Sequence, residues 1–218
     1  MIDWRTSDSW DPSIIEKAAR VRRPRSYPGE RQRDTVKLLC AFDIETSRVP
    51  GREESGLYHW QMKIGLNAPP IHGRTWQELL DVLGDCCQVL KPNDTLVFYV
   101  HNLSYEFQFL RTIYDFQPEE VFAVKPRHVV KCTMFDKKIE FRCSYILTQK
   151  SLADWTRDLQ VEHQKESSED YDHNQQRFPW TPLSAKEETY CYHDVQGLVE
   201  ALDHKIRPRR HRSSNSFV

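Results

Sequence analysis

No stretch of the 218-residue sequence approaches the roughly 20 apolar residues that a membrane-spanning helix needs. The opening MIDWRTSDSW lacks the basic-then-apolar order of a signal peptide, so the expected location is cytoplasmic. The six cysteines (40, 86, 87, 132, 143 and 191) include no CxxC pair. That spacing suggests neither a zinc ribbon nor a disulfide framework, and reduced thiols are expected. No internal repeat is present, which sets aside solenoid and propeller architectures. What remains is a chain long enough for one domain with a sizeable core, or one domain plus an extension.

The formal net charge of -1 hides an uneven distribution. Residues 20 to 33, RVRRPRSYPGERQR, carry +5, and residues 205 to 218, KIRPRRHRSSNSFV, also carry +5. Residues 1 to 19 hold -2, which leaves -9 on the body between residues 34 and 204. Basic arms of this kind either contact nucleic-acid phosphates or stay solvated. The expected organisation is a basic extension over 1–35, a domain over 36–206 and a basic, disordered tail over 207–218.

The pattern along the chain predicts a short helix around SIIEKAARV and then a Pro/Gly/Arg segment. TVKLLCAFDIE reads as a central strand, LYHWQMKIGL as one or two strands, and TWQELLDVLGDCCQVL as an amphipathic helix. TLVFYV is a short buried strand after the turn KPND, and a helix begins after HNLS with Tyr105, Phe109 and Leu110 at core spacing. VFAVKPRHVVKCTMFDKKIEFRCSYIL reads as consecutive strands with a hairpin turn at FDKK. SLADWTRDL is a helix, KESSEDYDHNQQRFPWTP a polar loop, and SAKEETYCYHDVQGLVEALDHKI a long helix with Ser184 and Glu187 placed as a capping box. Strands mixed with helices, closed by a crossing helix, indicate an α/β domain.

Three stretches carry chemistry. In FDIETS, at the end of an apolar run, Asp43 and Glu45 point to one side of a strand while Ile44 points to the other. Two acids sharing one small volume repel and lose solvation unless a cation, a proton or water compensates; a strand end that meets solvent is the competing reading. In YVHNLSYEFQFL, Glu106 sits at a helix start just past a strand. In YCYHD, Tyr190 and Asp194 lie four apart on one helical face, whereas His193 faces elsewhere. Carboxylates are the usual protein ligands of Mg²⁺ and Mn²⁺, and two such ions about 4 Å apart can activate a water and stabilise the leaving oxygen of a phosphodiester.

FDIET, HNLSYE and YCYHD, in this order and at these separations, resemble the three exonuclease motifs of the proofreading domain of family B DNA polymerases, and most closely those of the protein-primed branch. The similarity spans residues 36 to 204. It implies a ribonuclease H-like α/β fold with a mixed central sheet flanked by helices, and 3'-5' exonuclease activity with two Mg²⁺ or Mn²⁺ ions. Asp43, Glu45, Glu106 and Asp194 are then the expected metal ligands, Tyr190 the residue that orients the attacking water, and Lys165 an assistant in the phosphoryl chemistry. The second motif of the family ends in aspartate, and this chain carries Glu106 there; Asp115 is the weaker substitute. Thr46, Tyr99, His101, Asn102, Tyr105, Phe109, Ser151 and Leu152 match the family's contacts to single-stranded DNA, where stacking tolerates any sequence. The implied partners are a DNA 3' end and a polymerase domain or terminal priming protein. A chain ending so soon after the third motif is expected to lack the polymerase part. A nuclease fold kept only to bind single strands or a replication protein is the competing reading.

Overall fold

The run TVKLLCAFDIE folds as two strands laid end to end, not as one. In the computed structural model, β2 (Asp34–Val36) pairs in parallel with the start of β6 (Asp94–Val100), and β3 (Cys40–Arg48) pairs in parallel with its far half at Phe98 and Tyr99. Between them a tight turn, closed by Leu38 N–H donating to the Val36 carbonyl at 2.9 Å, interrupts the ladder. The structure describes residues 2–25, 27–49, 51, 54–165 and 175–206.

Along the sheet the order is β5 (Ile71–Gly73), β4 (Ser55–Ile64), β3, β6, β9 (Ile139–Cys143), β8 (His128–Met134) and β7 (Val121–Lys125), with β1 (Arg20–Arg22) antiparallel to β2. β6 runs parallel to each of its neighbours, while the outer pairs are antiparallel, as hairpins joined by short turns must be. The FDKK turn between β8 and β9 takes positive φ at Phe135, Asp136 and Lys137. This mixed, largely antiparallel open sheet carries helices on both faces, which is the α/β architecture expected.

One face packs against α1 (Ser13–Lys17), α2 (Trp76–Val89) and α3 (Leu103–Ile113) through Phe42, Ile44, Trp60, Met62, Leu79, Leu83 and Leu103. The other is covered by α4 (Leu152–Leu159) and α5 (Ala185–Ile206), whose Leu152, Trp155, Val195, Leu198 and Leu202 meet Ala41 and Tyr99. Burial of each large apolar side chain contributes about 1.5–3 kcal/mol, so the two layers hold the sheet between them. The Ser184 and Glu187 capping box is present at the start of α5: Glu187 accepts from Ser184 N–H at 2.7 Å, and its own N–H donates to Ser184 Oγ at 3.3 Å. No helix of the described residues is long and apolar enough to cross a membrane.

The basic extension expected over 1–35 is, where described, part of the body. Ile15 is fully buried, Trp10 Nε1 donates to Asp85 at 3.1 Å, and β1 and β2 extend the sheet. The first helix stops at Lys17 because residues 20–22 are needed as a strand. The tail over 207–218 and most of the polar loop, residues 166–174, lie outside the described residues.

Candidate functional site

β3 brings Asp43 and Glu45 to the face covered by α5, as the strand alternation predicts. A register shift after Glu45 then turns the strand as it leaves the site. Opposite them β4 presents Gln61, whose amide Nε2 donates to Asp43 Oδ2 at 2.7 Å and to Glu45 Oε1 at 3.3 Å. Gln61 was not among the expected site residues. His59, Gln61 and Lys63 alternate with Trp60, Met62 and Ile64, a pattern that reads as a solvated polar face. In the fold α5 lies over that face and all three polar residues are buried.

The capped α5 carries Tyr190 and Asp194 on one side, both buried. Asp43, Glu45 and Asp194 each offer a carboxylate oxygen within 4.8 Å of the other two. Lys165 closes the group, its Nζ 2.8 Å from Asp194 Oδ1 and 5.0 Å from the centre of the Tyr190 ring. The segment bearing Lys165 is pinned to α5 and α4: His163 N–H and Nδ1 meet Glu200 of α5 at 2.9 and 2.6 Å, and Lys165 N–H donates to Thr156 Oγ1 of α4 at 3.2 Å. Gly197 makes this approach possible, since a Cβ there would stand 2.3 Å from the His163 carbonyl oxygen. His193 packs against His163 and Tyr192, with 5.6 and 6.0 Å between ring centres.

Glu106 enters from α3. Asn102, in the left-handed conformation at φ 72°, ends β6 and starts the helix. The buried face of α3 is Leu103, Glu106 and Leu110, so the expectation that Tyr105 is a core residue is off by one position; Tyr105 is 44% exposed. This phase directs the Glu106 carboxyl inward against Asp43, within hydrogen-bonding reach. Asp115, beyond the end of the helix, is exposed.

Three carboxylates thus meet beside Lys165, with Glu106 against Asp43. Burial, then repulsion from Asp194, raises the Asp43 carboxyl to about 7. Burial, then Asp43 and Asp194, pushes Glu45 well above the ordinary carboxylate range, and burial with Asp43 does the same to Glu106. Asp194 is also raised by burial, although Lys165 works against the shift. Asp194 Oδ2 and Glu106 Oε2 are buried and no hydrogen-bond donor reaches them among the described residues. Unpartnered carboxylate oxygens with no sulfur donor among them are the donor set that suits a hard divalent cation.

The residues expected to contact a strand surround this centre unevenly. Thr46 Oγ1 and the Tyr105 hydroxyl are 2.5 Å apart on the rim, and Tyr105 continues through Phe109 (5.4 Å between rings) to Trp76 (6.4 Å). His101 and Leu152 line a cavity of about 50 Å³ together with Asp43, Lys165 and Asp194. Burial, with Lys165 nearby, lowers His101 to about 4, and its ring nitrogens lie 3.1 Å from Ser144 Oγ and from the Lys150 carbonyl. Asn102 is exposed at the helix start. Tyr99 packs with the α4 and α5 cluster, and Ser151 caps α4 by accepting from Asp154 N–H at 3.0 Å, so these two have structural partners.

The fold and the site together define the class: an α/β domain with a buried carboxylate centre where β3, α3 and α5 meet. Solved structures of Phi29 DNA polymerase share this fold. The complex with single-stranded DNA superposes with a TM-score of 0.60 at 12% identity, covering 77% of this chain and 31% of the polymerase. The primer-template complex gives a TM-score of 0.57 at 14% identity with the same coverage. The chain therefore spans less than a third of the length of those polymerases. No family model and no curated protein matches the sequence.

Proposed function

We propose that the chain is a metal-dependent 3'-5' exonuclease on a ribonuclease H-like fold, related to the editing part of a DNA polymerase and acting on single-stranded or frayed DNA in the cytoplasm. The observation that carries this reading is the convergence of Asp43, Glu45 and Asp194 within 4.8 Å, with Glu106 against Asp43. Asp43, Glu45 and Asp194 would hold Mg²⁺ or Mn²⁺, with Glu106 joining them directly or through water. Two bound ions would supply the charge that activates water and stabilises the leaving oxygen. Tyr190, one turn before Asp194, orients the attacking water through its hydroxyl. Lys165 counters the charge of the scissile phosphate while its ion pair with Asp194 fixes its place. Thr46, His101, Asn102, Tyr105, Phe109 and Leu152 form the bed of an unpaired 3' end, with Tyr105 and Phe109 as stacking surfaces. Tyr99 and Ser151 complete the proposed contacts to the strand, Ser151 from the exposed start of α4. A polymerase domain or terminal protein would be the partner in replication.

End-labelled single strands test the reading. A 3' label should appear at once as mononucleotide and a 5' label as a ladder of shortening products, both abolished by a chelator. Release from the 5' end, or degradation that persists in chelator, contradicts it.

A further inference from the structure

Gln61 reaches two of the four acids at once. The β3–β4 ladder pairs it directly with Asp43, and Glu45 follows two residues on, before the register shift. One amide nitrogen thereby donates to both, at 2.7 Å to Asp43 Oδ2 and 3.3 Å to Glu45 Oε1. Its neighbours on the same face of β4 turn elsewhere: His59 lies 3.2 Å from the Arg74 guanidinium, and Lys63 bonds to the Ala68 carbonyl. The sense of the amide is fixed as well, because Oε1 turned toward the acids would set three acceptor oxygens against one another.

The fold alone does not call for an amide here. Gln61 is fully buried, and no hydrogen-bond donor reaches its Oε1 among the described residues. An unpartnered buried carbonyl costs free energy that an apolar side chain of the same length would not. What the amide supplies is orientation. The terminal torsions of aspartate and glutamate are broad, so burial by itself does not choose how a carboxylate is turned. Two acids in one small volume repel, and each relieves the repulsion by rotating its oxygens away. A donor bonded to one oxygen of each holds the pair in one arrangement. It is also neutral, so it restrains the acids without opposing a divalent cation, as a lysine or arginine at 61 would.

We propose that Gln61 is the positioning residue of the carboxylate centre, holding Asp43 and Glu45 in one arrangement for a bound Mg²⁺ or Mn²⁺ without itself touching metal or substrate. This role rests on the exonuclease reading, and the two are tested apart. Gln61→Met keeps length and burial and removes the donor; Gln61→Leu repeats the change with a branched side chain, so that a packing fault peculiar to methionine does not pass for a lost donor. Met62→Ala, next on β4 but facing the opposite layer, loosens the strand without touching the acids. Parent and variants are compared at one pH for Mn²⁺ binding by electron paramagnetic resonance, for single-strand affinity and melting in chelator, and for single-turnover release of 3' nucleotides over a Mn²⁺ series. Both Gln61 variants should bind Mn²⁺ about 10- to 100-fold more weakly, the scale of a lost outer partner of a metal ligand, and release nucleotides more slowly at limiting metal, with single-strand affinity unchanged. Met62→Ala should melt lower than the parent and bind Mn²⁺ as the parent does. A parent that binds Mn²⁺ but releases nothing overturns the exonuclease reading, and one that binds none overturns both. A parent that binds and cleaves, with the Gln61 variants equal to it in Mn²⁺ affinity or with Met62→Ala weakened as much as they are, overturns the positioning role alone.

Discussion

Asp43 touches Gln61 and lies against Glu106 and Asp194, so its titration governs how the centre responds to pH. A carboxyl raised to about 7 in the fold but near 4 in the unfolded chain keeps the folded state fully stable at low pH and loses that stability as pH climbs between the two values. The contribution of Asp43 to the stability of the metal-free protein should therefore fall from pH 4 to pH 8, by a few kcal/mol on the order-of-magnitude scale of one such shift. Mg²⁺ or Mn²⁺ should restore the loss at the upper end, because the cation competes with the protons. Denaturant melts of the parent and of Asp43→Asn across that range, with chelator and with metal, isolate this contribution from groups that titrate the other way, such as His101; a variant that gains nothing over the chelated parent as pH rises would contradict the shared burial of these acids. At Glu106 the expected result is asymmetric. Glu106→Asp keeps the charge and retains or raises nucleotide release, whereas Glu106→Gln leaves an uncharged group against Asp43 and lowers it by roughly 10- to 100-fold, the scale of a misplaced ligand set. Single-turnover cleavage distinguishes them, and two variants equal to the parent would place Glu106 outside the chemistry. At this scale the sequence was legible wherever a period fixes a direction. Two residues apart on a strand and four apart on a helix bring Asp43, Glu45, Tyr190 and Asp194 to shared faces. Gln61 was illegible, since only the tertiary placement of α5 turns a polar alternation on β4 into a buried one.

α5 and the 161–165 segment act as one element. The helix was readable from its capping box, and its contact with the segment was not, because a glycine inside a helix says nothing about which backbone it faces. Gly197→Ala drives a methyl into the His163 carbonyl, and the segment must move. The expected cost is about 1–3 kcal/mol of stability, from overpacking. Lys165 moves with the segment, so the cleavage rate should fall by about tenfold or more, a 1 Å displacement being worth up to about 100-fold. Thermal melts and single-turnover rates on one preparation check both; a variant that loses stability at full rate would mean that Lys165 keeps its place without this anchor. α3 shows the limit of periodic reading in another form. Its helical period was evident, but aromatic Tyr105 read as a core position, whereas the helix turns Tyr105 to the rim and buries its neighbour Glu106. The residue that chooses the phase is Asn102, whose left-handed turn sets the entry of the helix after β6.

The whole molecule is held differently from what its charge map suggests. A segment with six arginines over 20–33 reads as a solvated arm, yet Arg20 and Arg23 reach acids whose side chains are 3% and 2% exposed. Such long-range pairs have no local signature, since Arg23 and Glu140 are 117 residues apart. Arg23→Ala should leave Glu140 to Arg142 alone and cost about 2–3 kcal/mol, toward the lower end for a broken buried pair. Glu140 is buried, which opposes its charge, but Arg23 and Arg142 hold its carboxyl below the ordinary range. Its contribution is thus present above the unfolded value near 4.5 and fades as pH falls, so the difference between parent and variant should be full at pH 7 and shrink in acid. A constant difference down to pH 3 in denaturant melts would show that the loss is packing and not charge.

The proposed function rests on one claim, that the carboxylate centre cuts DNA. The direct measurement compares the parent chain with the Asp43→Ala, Glu45→Ala double variant for release of mononucleotides from the 3' end of single-stranded DNA in Mg²⁺, with circular dichroism and melting run on both. The parent should release nucleotides and the double variant should release none while folding as well as or better than the parent in chelator, because mutually repelling buried acids have been removed. Equal release by the two, with the fold intact, would contradict the assignment of the centre.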